Sequence, residues 1–270
     1  MQKYKIGMVA RLLDLPNDTL RYYESRGVMR PQKDEETGYR YYDAWDLNYL
    51  LDSMRYRSYD FSLNDVVKMI NDDDQKNFSD RCKKRETELL ETIFEYKQKL
   101  DALAAFRQKV SQIKKHLGIF EIVDRPAMIY QRMRNKNEFI FDDEALILMK
   151  KWISLMRIVN HTFLMPDYSA NNTDAFNEYW WGFSLSPDDA IRSGIDISPS
   201  VEYMPPVKSI HTVFTAGGRG TFVHSMKTRV ISEIRKQGQK IIGPPVGNLI
   251  VRLHEDDVFT RYFEVWVPIE

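Results

Sequence analysis

The sequence predicts an α+β protein in three parts: a winged helix-turn-helix domain over residues 1–76, a long dimerisation helix over 77–117, and a domain of duplicated βαββ units over 118–270. Three observations predict it. A short helix, Asn17-Asp18-Thr19-Leu20-Arg21-Tyr22-Tyr23-Glu24, follows a first helical run across a tight turn at Asp14-Leu15-Pro16. A stretch without proline or glycine then carries Leu89, Ile93, Tyr96, Leu100, Leu103, Val110, Ile113 and Leu117, spaced mostly three and four apart as in a heptad seam. Beyond Gly118, extended runs alternate twice with a long helical segment.

The composition sets bounds on these parts. At 270 residues the chain exceeds one ordinary domain of roughly 100–200 residues. The 39 basic and 39 acidic residues balance, so nucleic-acid contact cannot rest on bulk charge. No apolar run approaches the ~20 residues that cross a bilayer, and the N-terminus has no apolar signal core. A cytoplasmic protein with no membrane partner is expected. Cys82 is the one cysteine, which excludes an intrachain disulfide and a multi-thiolate metal site. No metal or cofactor is expected, and Cys82 reads as a bystander thiol.

In the N-terminal part Ile6, Val9, Ala10 and Leu13 recur at helical spacing and form the scaffold on which the eight-residue helix rests. Asn17 or Asp18 is the expected cap, and Gly27 the exit. The exposed face of this recognition helix offers Arg21, Tyr22 and Tyr23 to a nucleic acid. Next, Val28-Met29-Arg30-Pro31 and Tyr39-Arg40-Tyr41-Tyr42 flank an acidic turn ending in Gly38, the pattern of a β-hairpin wing. Arg40 suits a phosphate, while Tyr41 and Tyr42 divide between DNA contact and packing on the helices. Since acidic residues match the basic ones over residues 1–60, Lys3, Lys5, Arg11, Arg21 and Arg40 must share one face. The candidate DNA-binding residues are Lys5, Arg11, Thr19, Arg21, Tyr22, Tyr23, Arg40 and Tyr41. Asp43 and Ser62 are expected to cap two further helices, and Asp72-Asp73-Asp74 closes the domain.

The seam of the long helix buries most readily against a second copy, so a homodimer is expected; packing along the chain's own C-terminal domain is the alternative. Two recognition helices related by a twofold axis read a pseudo-palindromic site.

In the last part the first unit has Pro126–Tyr130 as strand, Asp142–Val159 as helix, and strands over Phe163–Tyr168 and Glu178–Leu185. The second has strand Val207–Phe214, helix Thr221–Gln237, and strands Val246–Leu253 and Phe259–Val267. Strand parity puts Phe263, Val265 and Val267 on one face and Tyr262, Glu264 and Trp266 on the other. An acid between two aromatics suits a cationic aromatic ligand. The candidate ligand-binding residues are Glu264, Trp266, Tyr262, Tyr130, Tyr168, Trp180 and Tyr203. Trp180 and Trp181 cannot face the same side, and one of them must pack under the helices. The loop Ala216-Gly217-Gly218-Arg219-Gly220 reads as a strand-to-helix turn; cradling an anion is the other reading, without P-loop spacing.

Lys5-Ile6-Gly7, Thr19 to Glu24, Gly27, Arg30-Pro31 and Gly38-Tyr39-Arg40-Tyr41-Tyr42 together resemble the DNA-binding domain of MerR-type transcription regulators. The remainder resembles a gyrase-inhibitor-like effector-binding domain in its duplicated βαββ pattern, Gly220, Gly243-Pro244-Pro245 and Phe263-Glu264-Val265-Trp266-Val267-Pro268. The resemblance implies a homodimer joined by an antiparallel coiled coil on double-stranded promoter DNA. It implies action with RNA polymerase, by bending and untwisting an overlong spacer when a small lipophilic drug binds. It carries DNA contact onto Arg21, Tyr22, Tyr23 and Arg40, and the acid facing cationic drugs onto Glu264. The cysteines of metal and redox sensors are absent. The rival classes are a hydrolase of reactive aromatic drugs and a sequestering protein; no nucleophile with an adjacent base is visible, so no enzyme is expected.

Overall fold

The computed structural model describes residues 2–141, 143–166, 168, 176–255 and 257–270. Asp142, the expected start of a helix, and Asp167, inside an expected strand, lie outside the described residues. The chain divides into compact units over Met1–Lys97 and Gln98–Glu270. The expected long helix exists, over Gln75–His116, and contributes to both units.

In the first unit, β1 (Tyr4–Lys5) leads into α1 (Ile6–Leu13) and α2 (Asn17–Ser25). Asp14 ends α1 in the left-handed region at φ 52°, which turns the chain sharply enough for α2 to start three residues later. The expected cap at Asn17 or Asp18 is not formed: Pro16 holds the N-cap position, and Asp18 pairs with Arg21 at 3.4 Å. Gly27, at φ +81°, makes the exit. The wing pairs β2 (Gln32–Lys33) with β3 (Arg40–Tyr42), and β1 joins as a third strand through Tyr4↔Tyr42. The first wing strand therefore starts later than the sequence predicts, because Val28 and Met29 are buried. They leave the wing for the core, where Met29 joins Val9, Leu20, Tyr42 and Leu50.

Asp43 and Asp46 form a capping box on α3 (Ala44–Ser58), and Ser62 caps α4 (Leu63–Asn71). Phe61, Val66 and Met69 build a second small core with Phe78 and Cys82 of the long helix, α5 (Gln75–His116).

The second unit contains β4 (Glu121–Arg125), β5 (Met128–Asn135), β6 (Glu138–Phe139), α6 (Asp143–Ser154), β7 (Asn160–Leu164), β8 (Trp180–Leu185) and α7 (Pro187–Arg192). It continues with β9 (Val201–Met204), β10 (Val207–Ala216), α8 (Thr221–Ser225), a π-helical turn (Met226–Ile231), α9 (Ser232–Lys236), β11 (Val246–Glu255) and β12 (Val258–Pro268). Among the described residues one sheet runs β4-β10-β12-β11-β7-β8-β5-β6, with β9 alongside β5. Close strand approach is built into two glycines. A Cβ at Gly182 would sit 1.8 Å from the Gln131 carbonyl oxygen, and one at Gly247 would sit 2.1 Å from that of Glu264.

Each sheet face has its own cover. Phe263, Val265 and Val267 pack with Phe222, Met226, Val230 and Ile234 of the helical segment, as parity predicts. On the opposite face Val213, Ile250 and Tyr262 meet Val110 and Ile113 of α5. The end of the apolar seam thus packs on the chain's own sheet. Its middle is exposed: Ile93 is 63%, Leu100 66% and Leu103 63% accessible.

Candidate functional site

In the first unit the left-handed turn at Asp14 sets α1 and α2 against each other, and the β1–β3 pairing brings the N-terminus beside the wing. Lys3, Lys5, Arg11, Arg21 and Arg40, the five cations required to share a face, line one cleft of about 840 Å3. Ile6, Gly7 and Met8 of α1 and Gly38 and Tyr39 of the wing complete it. Lys5 Nζ lies 5.9 Å from the Tyr39 ring centroid and Lys3 Nζ 6.0 Å from that of Tyr41, so each lysine is held near an aromatic face. Arg11 donates to the Gly7 carbonyl, which ties its guanidinium to the start of α1.

Arg40 is the most constrained of the five. Its Nε donates to Glu24 Oε2 at 2.6 Å, and the Glu24 side chain is 17% exposed. Glu24 was not singled out from the sequence; its signal was its position one turn after Arg21 on the recognition helix, opposite an arginine-bearing wing. Tyr22 is exposed beside Arg21, while Tyr23 is half-buried and packs partly against the core of Val9 and Leu20. Thr19 and Tyr41 are half-buried. Tyr42 is fully buried, so the packing reading holds for that residue.

Residues 4–73 match the family model described as MerR HTH family regulatory protein. The chain is 31% identical over 107 residues to the HTH-type transcriptional regulator CueR of Escherichia coli O6:H1, covering 39% of this chain and 76% of CueR. The chain belongs to the MerR family. As a MerR-family member it is a DNA-binding transcription regulator and not an enzyme. Among solved structures it is similar to EcmrR in a DNA complex, at 13% identity and TM-score 0.36 over 99% of both chains. It is also similar to the N-terminal part of MtaN, the Bacillus subtilis multidrug transporter activator, at 24% identity and TM-score 0.26 over 35% of this chain and 97% of that one.

The C-terminal unit of this MerR-family chain does not leave Glu264 open. Glu264 is 8% exposed; its Oε1 accepts from Lys109 Nζ of α5 at 2.6 Å and from Asn248 Nδ2 of β11 at 2.6 Å. The acid that parity placed between two aromatics already has a cation, supplied by the long helix. Lys109 was missed because the seam was read only for its apolar positions. It lies one turn before Ile113, so the seam itself turns Lys109 toward the sheet.

A polar ladder continues from Asn248 across the sheet. Thr162 Oγ1 donates to Asn248 Oδ1 at 2.7 Å and lies 2.6 Å from Ser184 Oγ. Among the other ligand candidates, Tyr262 is buried against Ile113, and the Trp266 ring lies tilted beside His211 with centroids 5.1 Å apart. Tyr130 is fully buried, its hydroxyl is unpaired, and burial pushes its pKa up. Trp180 carries the Arg132 guanidinium 4.4 Å from its ring centroid, whereas Trp181 is the tryptophan packed under the helix, against Phe222. Tyr168 and Tyr203 are exposed. The seven candidates therefore do not converge on one open pocket: three are buried and two stand in solvent.

Proposed function

We propose that the protein acts as a homodimer on pseudo-palindromic double-stranded promoter DNA, with the α1–α2–wing cleft of each copy on one half-site. The observation that supports this most is the set of five cations in that cleft, drawn from the N-terminus, both helices and the wing. With no bulk positive charge to supply affinity, phosphate contact depends on such a cluster. The exposed Ile93–Leu103 stripe supports dimerisation through the long helix, as an antiparallel coiled coil.

The strand order within the second unit supports a duplicated βαββ domain of the gyrase-inhibitor-like kind. In β5–α6–β7–β8 and in β10–α8/α9–β11–β12 the third strand lies between the first and second, and β7 pairs with β11. We read this domain as binding a small lipophilic ligand. A cation aimed at Glu264 must first displace Lys109, so the fold gives no reason to prefer a cation there. Ligand binding biases promoter DNA between undistorted and untwisted forms, which an RNA polymerase then reads; this needs unequal ligand affinity for the two protein states.

The test is duplex-DNA affinity against salt concentration for wild type and Arg21→Ala. The expected result is weaker binding with a salt slope reduced by about one unit. An unchanged affinity and slope would overturn the assignment of this face.

A further inference from the structure

The C-terminal unit contains a cavity on the Phe263 face of the sheet, with a volume of about 520 Å3. This is within the roughly 300–1,000 Å3 of small-molecule sites. Its walls are aromatic, chiefly Trp181, Phe222, Phe263 and Tyr179, and four arginines line it: Arg134, Arg219, Arg252 and Arg261. Among the described residues no carboxylate lines it.

The arginines are set in two ways. Arg261 is fixed as part of the wall: its Nε donates to the Gly217 carbonyl at 2.8 Å and its Nη2 to that of Gly218 at 2.9 Å. Arg134 is also held, donating to the Lys136 carbonyl at 2.6 Å with its guanidinium 5.4 Å from the Trp181 ring centroid. Arg252 and Arg219 have no hydrogen-bond or ion-pair partner among the described residues. Moreover, Arg252 and Arg261 stand directly opposite each other on β11 and β12. Like charges at such a pair repel, and no acid in the wall offsets them. Burial, and with it the Arg252 charge, lowers the pKa of both Arg134 and Arg261, and His161 in the same wall is held neutral.

Four guanidiniums around one cavity without an acid, Arg134 and Arg261 against ring faces and Arg219 and Arg252 exposed at its edge, make a positive site that a negative charge fills. We propose that this cavity binds a small aromatic anion, a flat ring system carrying a carboxylate, sulfonate or phosphate, as the ligand of the C-terminal domain. The proposal rests on reading that domain as ligand-binding and names the chemical class of its ligand. Arg252 and Arg219 take the anionic group, and Trp181, Phe222 and Phe263 take the ring.

The test titrates the full chain with 2-naphthoate, 2-naphthalenesulfonate, the neutral 2-naphthalenemethanol and the cationic 2-naphthylmethylammonium, by calorimetry. Wild type, Arg252→Gln, Arg252→Lys, Arg219→Gln and the exposed control Arg192→Gln are compared. The expected result is anion binding at least ~10-fold tighter than the alcohol or the cation, weakened at least ~10-fold in Arg252→Gln. Arg252→Lys retains part of the affinity and Arg192→Gln all of it. Without ligand, Arg252→Gln melts at or above the wild-type temperature, because a repulsion is removed. Equal or tighter binding of the alcohol or the cation, anion binding indifferent to Arg252, no anion binding at all, or a lowered melting temperature in Arg252→Gln would each overturn the proposal. Duplex-DNA binding by the same preparations separates the two readings. Protein that binds DNA but no anion loses only the pocket, and protein that binds the anion but no DNA loses only the regulator.

Discussion

Lys109 Nζ donates to Glu264 Oε1 at 2.6 Å, joining the last turns of the long helix to the middle of the C-terminal sheet. The carboxylate is nearly buried, while the Lys109 side chain is 36% exposed, so the pair is worth less than a fully enclosed one. Lys109→Met leaves Glu264 with Asn248 alone and should cost about 1–2 kcal/mol in urea unfolding. Adding Glu264→Gln should restore part of that loss, because the uncompensated charge is then gone. Additive losses in the double variant would show that the two side chains do not interact.

Gly182→Ala should be far more damaging. Its Cβ would meet the backbone oxygen of Gln131 on the neighbouring strand, at 1.8 Å, and no rotamer relieves a backbone clash. A loss of about 4 kcal/mol or more, or failure to accumulate folded protein, is expected. A melting temperature within a few degrees of wild type would contradict the strand spacing at that point.

His161 gives the fold a pH dependence. Burial first, then the charges of Arg252 and Arg134, hold its pKa down at about 4, against an ordinary 6.5. Between those values the unfolded chain binds more protons than the folded one. The stability contribution is therefore whole above about pH 6.5 and is lost as the pH falls toward 4. The loss is at most of the order of 3 kcal/mol. His161→Gln should flatten this part of the stability profile; an unchanged slope would assign it to other groups.

The exposed stripe on the long helix makes a different prediction from its end. Leu100→Glu should convert a dimer to a monomer in light scattering while the melting of both units persists. Ile113→Asp, which strikes the packing against Val213 and Tyr262, should unfold the C-terminal sheet. If Leu100→Glu leaves the mass unchanged, the dimer is not formed through this helix.

The contrast along this helix shows what is legible in a sequence. The heptad period told that Leu89 to Leu117 has an apolar side, but not that Ile113 meets the chain's own sheet while Ile93 and Leu100 remain uncovered, since period carries no information about partner. The helices capped at Asp43 and Ser62 and the major strands were readable, because caps and alternation are local. β1 was not, because two residues carry no period. The same limit hid the arginine cavity: its four cations come from β5, the loop before α8, β11 and β12, and only register brings them together. One part of that register was available. Arg252 and Arg261 are equally distant from the Glu255↔Val258 end of their hairpin, so counting outward from the turn sets them opposite each other. The loop Ala216 to Gly220 is a strand-to-helix turn whose Gly217 and Gly218 carbonyls accept from Arg261, and it contributes Arg219 and Gly220 to the cavity.

The most direct test of the central claim is selection of bound duplexes from a random DNA pool by the full-length protein, followed by sequencing. The expected result is enrichment of an inverted repeat with a fixed half-site spacing, recovered at lower yield of bound duplex in Arg21→Ala and at full yield in Tyr23→Phe. Enrichment of a single unpaired half-site, or no enrichment at all, would contradict a homodimer reading DNA through the α1–α2–wing cleft.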